Sequence, residues 1–254
     1  MIKLIKSECP TTLQVKGVKG CESLCGRVAK GDTLCSNDFK KEVYGADDVR
    51  CQLDKDQHNK CAYCECNPGV CGNNEVEHYR PKTCYRGSLE EKRTESHYPG
   101  YYWLAYEWDN LLMCCRKCNE LKSDYFPLMD ETKRNIDGRD ISGEVPLLIN
   151  PYYDDPADYI EYNEHMMRAK KDSSGQISQR GDMTIRMLKL NERLDLLNQR
   201  RLVWEVYVFL KDRYNDEVKD GEMDRAELFR KKIEEMENDS QEFSGMIRYQ
   251  CHSI

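Results

Sequence analysis

Several things are missing from this 254-residue chain, and each absence removes a class of function. No run of eighteen apolar residues occurs, which excludes a helical membrane span of ordinary length. The start, Met1-Ile2-Lys3-Leu4-Ile5-Lys6-Ser7, has no apolar stretch of signal-peptide length, so a cytoplasmic protein with no membrane partner is expected. A basic surplus is missing too: the formal net charge is −7, opposite in sign to a general phosphate-binding surface. There is no internal repeat and no low-complexity tract, so the length suits one large domain or two small ones.

What the chain has in abundance is cysteine, fourteen in all. Without an export signal these are expected to be thiols rather than disulfides. Two pairs have metal-ligand spacing: Cys61-Ala62-Tyr63-Cys64 and Cys115-Arg116-Lys117-Cys118. Each C-x2-C pair sets two thiolates on one tight turn, and two such turns complete a tetrahedral zinc site. Cys114 competes with Cys115 for the metal, but only Cys115 has two-residue spacing to Cys118. Cys66 with Cys71, or Cys21 with Cys25, would make a second site of weaker spacing, which is not expected. The remaining cysteines read as small buried hydrophobes.

The two pairs bracket Glu77-His78 and Asn110, and Asn119 directly follows Cys118. A neutral imidazole near pH 7 suits proton abstraction from water, and an adjacent carboxylate suits a hard divalent cation. His78 has two blander alternatives, a zinc ligand or a satisfied core histidine. Four thiols already at good spacing disfavour the first. Charge is unevenly spread. From His78 to Lys122 there are eight bases against six acids, whereas Tyr214 to Glu242 holds eleven acids against five bases. Arg80, Lys82, Arg116, Lys117 and Lys122 are therefore the candidate phosphate contacts, each as readily an ordinary surface charge. The acidic C-terminal stretch reads as a solvated helix face or a surface for a partner protein.

The expected organisation is α+β. Residues 1–60 comprise an N-terminal arm, irregular to about residue 35, and then two helices beginning near Ser36 and Asp47. Residues 61–128 form the motif region: a strand over 75–79 stopped by Pro81, a polar loop, an aromatic stretch from Tyr101 to Trp108 walling the core, and a short helix over Arg116 to Lys122. Residues 129–254 are mainly helical and form a candidate partner-binding surface. Pro146 to Pro151 reads as a short strand, and 159–161 with 166–169 as a hairpin. Asn191 is the expected N-cap of a helix running to about Tyr214, with a last helix over 223–238.

Glu77-His78, Asn110 and Asn119, set within two C-x2-C pairs, resemble the HNH nuclease signature. The resemblance implies a ββα-metal core over 61–128, with the four cysteines on structural zinc. It implies Glu77 and Asn119 as ligands of a catalytic cation, Mg²⁺ or Mn²⁺. It assigns His78 as general base and Asn110 as the residue that braces hairpin and base. Glu stands where the family commonly has Asp. A wider likeness runs through Asp56 to Glu65, Glu77 to Lys82, Tyr102 to Leu111, Pro146 to Pro151 and Thr184 to Asn191. These segments resemble the HNH subunit of Septu anti-phage systems, a subunit type that also accompanies some retrons. That likeness implies an endonuclease acting on nucleic acid, DNA before RNA, beside an ABC-type ATPase, or with a retron reverse transcriptase and its DNA/RNA. The alternative from another class is a zinc-knuckle binding module that recruits nucleic acid or protein without cutting it.

Overall fold

The computed structural model describes residues 1–67 and 74–252. Cys71 lies outside them, so the Cys66–Cys71 pairing does too. The main elements are α1 (Val18–Ala29), α2 (Lys41–Tyr44), α3 (Asp47–Asp56), β1 (Asn74–His78), β2 (Leu111–Cys115) and α4 (Arg116–Lys122). They are followed by β3 (Ile160–Asn163), β4 (Met166–Ala169), α5 (Gln179–Met187), α6 (Leu194–Asp220), α7 (Met223–Met236) and α8 (Ser244–His252). No helix among the described residues is long and apolar enough to cross a membrane.

The centre is the antiparallel pair β1–β2, with Glu77 opposite Leu112 and His78 opposite Leu111. Side chains alternate across a strand, so β2 serves two cores at once. Leu111 and Met113 join a cluster with Leu13, Leu24, Phe39, Val43, Val49 and Leu53 from the N-terminal helices. Leu112 and Cys114 join the larger cluster on the other side, with Tyr63, Phe126, Leu148, Leu196 and Phe243, and so does Cys115, at the strand's end where the chain turns into α4. α4 follows β2 without a break and packs against both strands. An antiparallel strand pair running into a helix thus carries Glu77, His78, Cys115, Cys118 and Asn119.

The N-terminal arm differs from expectation. Leu13–Gly17 forms a wide helical turn that runs directly into α1, so this stretch is helical rather than irregular. Its glycines mark a contact, not a break. A Cβ on Gly17 would sit 3.1 Å from Tyr106 Cβ, and one on Gly20 would meet the Tyr106 ring at 2.6 Å. The aromatic stretch lies against the helix because those side chains are absent. Tyr101, Tyr102, Tyr106 and Trp108 are buried, as expected of a core wall.

Three further elements depart from the sequence pattern. Pro146 to Pro151 makes one isolated bridge, Leu128 to Pro146, and no strand. Asn191 caps no helix. Its amide instead holds β4, accepting from Met167 N (3.1 Å) and donating to Met167 O (2.7 Å), while Arg200 also donates to its Oδ1 (2.9 Å). α6 continues past Tyr214 to Asp220 and ends at Gly221, whose φ of 78° is the left-handed cap that glycine favours. The hairpin 160–163 with 166–169 forms as expected. α8 carries no strong sequence signal and packs against β3.

Candidate metal knuckle and catalytic cavity

Cys61, Cys64, Cys115 and Cys118 are all buried, and their sulfurs lie within 4.8 Å of one another. Four sulfurs tetrahedrally placed on zinc at about 2.3 Å would be about 3.8 Å apart. Cys64 and Cys115 sulfurs stand at 3.8 Å, so the donor set fits that ion. Cys115 is also the N-cap of α4, its sulfur accepting from Cys118 N (3.4 Å). A helix N-terminus stabilises a thiolate. Arg193, buried at the start of α6, donates from Nη1 to Cys118 Sγ (3.2 Å) and from Nη2 to Cys115 Sγ (4.0 Å). Burial works against its charge, but the thiols beside it hold the guanidinium above its ordinary pKa. A buried arginine facing sulfurs matches a site that carries negative charge. Cys114 is buried but is not in the group; nor are Cys21 and Cys25.

At the end of β1 lies a cavity of about 290 Å³ whose wall includes Glu77, His78, Lys82, Asn119 and Asp124. Glu77, His78 and Asn119 are thus brought together, from a strand and a helix. Strand alternation turns the first two in opposite directions. Glu77 faces α4, where Lys122 Nζ donates to its Oε1 (2.5 Å). His78 faces α2, edge-on to the Tyr44 ring at 4.7 Å. Its Nε2 is 2.9 Å from the Ala105 carbonyl oxygen, which accepts only a proton-bearing nitrogen. The neutral ring therefore keeps its lone pair on Nδ1, and Lys82 Nζ stands 3.2 Å from that atom. Burial, then the nearby charge of Lys82, pushes the His78 pKa well below its ordinary value, against the opposing hydrogen bond to Ala105. Burial also brings the Lys82 ammonium down to about 8, with Glu77 resisting.

Asn119 Nδ2 donates to Glu75 Oε2 (2.6 Å). A carboxylate only accepts, so the amide nitrogen must face Glu75, leaving the amide oxygen for another partner. Glu77 and Asn119 are both on the cavity wall and offer two oxygens of the hard-cation type. Asn110 is buried behind them. Its Oδ1 accepts from Arg80 N (2.7 Å), and its Nδ2 donates to Arg80 O and Leu104 O (3.1 Å each). It ties the end of β1 to the segment that supplies Ala105, and does not itself line this cavity.

Two of the expected phosphate contacts are corrected. Lys122 is fully buried, its ammonium held by Glu77 and by the His78 carbonyl oxygen (2.9 Å). Arg80 is buried in an ion pair with Glu144 and lies near the Tyr101 and Phe126 rings. Each has a carboxylate partner brought from a distant segment, which nothing local in the sequence announces. Lys82 is half-buried and directed at His78. Arg116 and Lys117 are exposed, Arg116 pairing with Glu120. Residues missed by sequence reasoning are Glu75, Arg93 and Asp124. Glu75 was detectable, because it shares the Glu77 face of β1 at i−2. Asp124 was not, since Arg86 and Ser96, distant in sequence, hold it. Burial acts to raise its pKa, yet hydrogen bonds from Arg86 and Ser96 bring it to about 2.

No family model matches the chain. It is 36% identical over 156 residues to the Septu protein PtuB of Bacillus mycoides (strain KBAB4), covering 61% of this chain and 50% of that protein. It is 27% identical over 162 residues to the Septu protein PtuB of Bacillus thuringiensis, covering 63% and 48%. It is also 34% identical over 135 residues to the Septu protein PtuA of Bacillus mycoides (strain KBAB4), covering 53% and 18%. The chain thus spans about half the length of the PtuB relatives it matches. The resemblance to Septu proteins noted from the motifs is borne out by these relatives.

Proposed function

We propose that the chain is a metal-dependent endonuclease of the HNH type, acting as the cutting component of a Septu anti-phage system. Its structural zinc is held by Cys61, Cys64, Cys115 and Cys118, and its catalytic divalent cation, Mg²⁺ or Mn²⁺, by Glu77 and Asn119. The observation that carries this reading is the state of His78: Nε2 is tethered to Ala105 O, so the lone pair is on Nδ1, 3.2 Å from Lys82 Nζ, in a residue that shares a cavity wall with Glu77 and Asn119. His78 accepts a proton from water through Nδ1 as the water oxygen attacks the phosphorus of a phosphodiester. A cation held by Glu77 and Asn119 would supply charge stabilisation at the phosphate and the leaving oxygen. The carbonyl of Ala105 holds the proton on Nε2 and steadies the imidazolium that forms. Asn110 keeps that carbonyl and the end of β1 in register. Lys82 turns from Nδ1 to the incoming phosphate, with Arg93, Arg116 and Lys117 as further cations for the nucleic acid, DNA in the first instance.

The Septu PtuB and PtuA names of the relatives support a two-protein defence setting. The partner implied by the motif resemblance is an ABC-type ATPase, and the acidic exposed stretch of α6 and α7 is a candidate place for it. A reverse transcriptase gene beside this one would mark a retron setting instead. The test is His78→Ala in the full chain, assayed alone and with the ATPase partner proposed for it. Cleavage should fall by at least ~10²-fold, with zinc content and folding unchanged. Cleavage at the wild-type rate in that variant would overturn the assignment.

A further inference from the structure

Lys122 is fully buried beside the cavity without lining it. A fully buried lysine needs an anionic partner, and this one has the carboxylate proposed to hold the catalytic cation. Its Nζ bridges two consecutive groups, donating to Glu77 Oε1 at 2.5 Å and to the His78 carbonyl oxygen at 2.9 Å. The bridge is built by periodicity. Asn119 and Lys122 are three apart on α4 and share a face, while Glu75 and Glu77 are two apart on β1 and share a face. The result is two rungs between helix and strand, Asn119 to Glu75 and Lys122 to Glu77. Both lie beside the cavity, whose wall carries Glu77 and Asn119 but not Lys122.

Two consequences follow for a cation entering that cavity. Lys122 engages one oxygen of Glu77, so among the described residues only Oε2 has no donor to displace. A fixed ammonium in contact with the ligand carboxylate also repels a second positive charge at short range, where burial screens little. Lys82 adds a further positive charge from the His78 side. One carboxylate and one amide oxygen make a sparse donor set for a hard dication.

Resting on the nuclease reading above, we propose that Lys122 is a positioning residue that restrains Glu77 to one-oxygen ligation and keeps cation affinity low until a substrate phosphate supplies the missing negative ligand. The resting protein then holds its catalytic metal weakly, and metal and nucleic acid bind with mutual reinforcement. A lysine with a merely structural role would have a different signature: its loss would loosen Glu77 and weaken metal binding.

The experiment measures Mn²⁺ binding to the zinc-loaded full chain without nucleic acid, by the loss of the free-ion electron paramagnetic resonance signal. The variants are Lys122→Met and Lys122→Gln; the glutamine keeps a donor for the His78 carbonyl in case the methionine fails to fold. Bound zinc at wild-type stoichiometry certifies the fold of each. The proposal expects Mn²⁺ to bind at least ~10-fold more tightly in the folded variant than in wild type. Unchanged or weaker binding in a folded Lys122→Gln variant overturns it. Glu77→Gln separates the two levels. If it abolishes Mn²⁺ binding while Lys122→Gln leaves the affinity unchanged, the role of Lys122 fails and the metal site stands. If Mn²⁺ binds as well without the Glu77 carboxylate, the metal-site reading itself fails, and the proposal with it.

Discussion

Two candidate metal sites of opposite character draw on the β1–β2–α4 unit, the first with Cys61 and Cys64 added from the turn before it. The knuckle has four identical donors, all buried, drawn together within 4.8 Å and backed by Arg193. The cavity has unlike donors, a carboxylate and an amide, beside a histidine that strand alternation turns the other way, with Lys82 and Lys122 crowding both. A closed set of four soft ligands leaves no position for substrate, whereas a sparse set of hard oxygens on an open wall does. Position, not proximity in sequence, separates the two candidate sites: Cys118 and Asn119 are neighbours on α4, one in the four-sulfur group and one on the cavity wall.

The largest effect should come from the knuckle. Replacing Cys61 and Cys118 together by serine should lower bound zinc from one per chain to near zero and abolish the cooperative thermal transition, since structural zinc contributes on the order of 10 kcal/mol to such a fold. Metal analysis with circular dichroism reads both. A variant that keeps its transition without zinc would remove the contrast between the sites.

Asn110→Ala should come next. It leaves the Arg80 N–H and the carbonyls of Arg80 and Leu104 buried without their partner, a loss of about 3 kcal/mol in denaturant unfolding. Zinc should stay bound, and cleavage should drop because Ala105 is no longer held against His78. A loss of zinc at the same denaturant concentration as in wild type, with cleavage unaffected, would place Asn110 outside the cavity's support.

The pH profile is the smallest and sharpest effect. In the role proposed for it His78 would work as a base only when neutral, and its pKa lies well below the ordinary histidine value because of burial and Lys82. Cleavage should therefore persist below pH 6.5, where an unperturbed histidine would already be protonated. Lys82→Met removes a charge that disfavours imidazolium, so the acid limb should move to higher pH. The same shift has a stability sign. The unfolded chain binds a proton at His78 near pH 6.5 while the folded chain does not, so stability is lost as pH falls below that value. An acid limb at 6.5, unmoved by Lys82→Met, would contradict the environment described for His78.

How much of this was legible follows the same division. The knuckle was written in spacing alone, and α4 followed from it, beginning immediately after Cys115. β1 and the aromatic wall could be read from alternation and from the density of rings. The N-terminal helix could not, because Gly17 and Gly20 do the work of apolar residues by admitting Tyr106. The cavity was half legible. Glu77, His78, Asn110 and Asn119 were visible as residue types. The burial of Lys122 and Arg80 was not, because it depends on Glu77 and Glu144 arriving from other segments. Long cationic side chains look alike in sequence whether they meet solvent or a buried carboxylate.

The contrast between a closed structural site and an open catalytic one is tested most directly by brief treatment with EDTA, followed by return of Mg²⁺. Cleavage should vanish and then recover, while zinc stays at one per chain throughout and the circular dichroism does not change. Cleavage that disappears in step with zinc, and that Mg²⁺ cannot restore, would contradict the account.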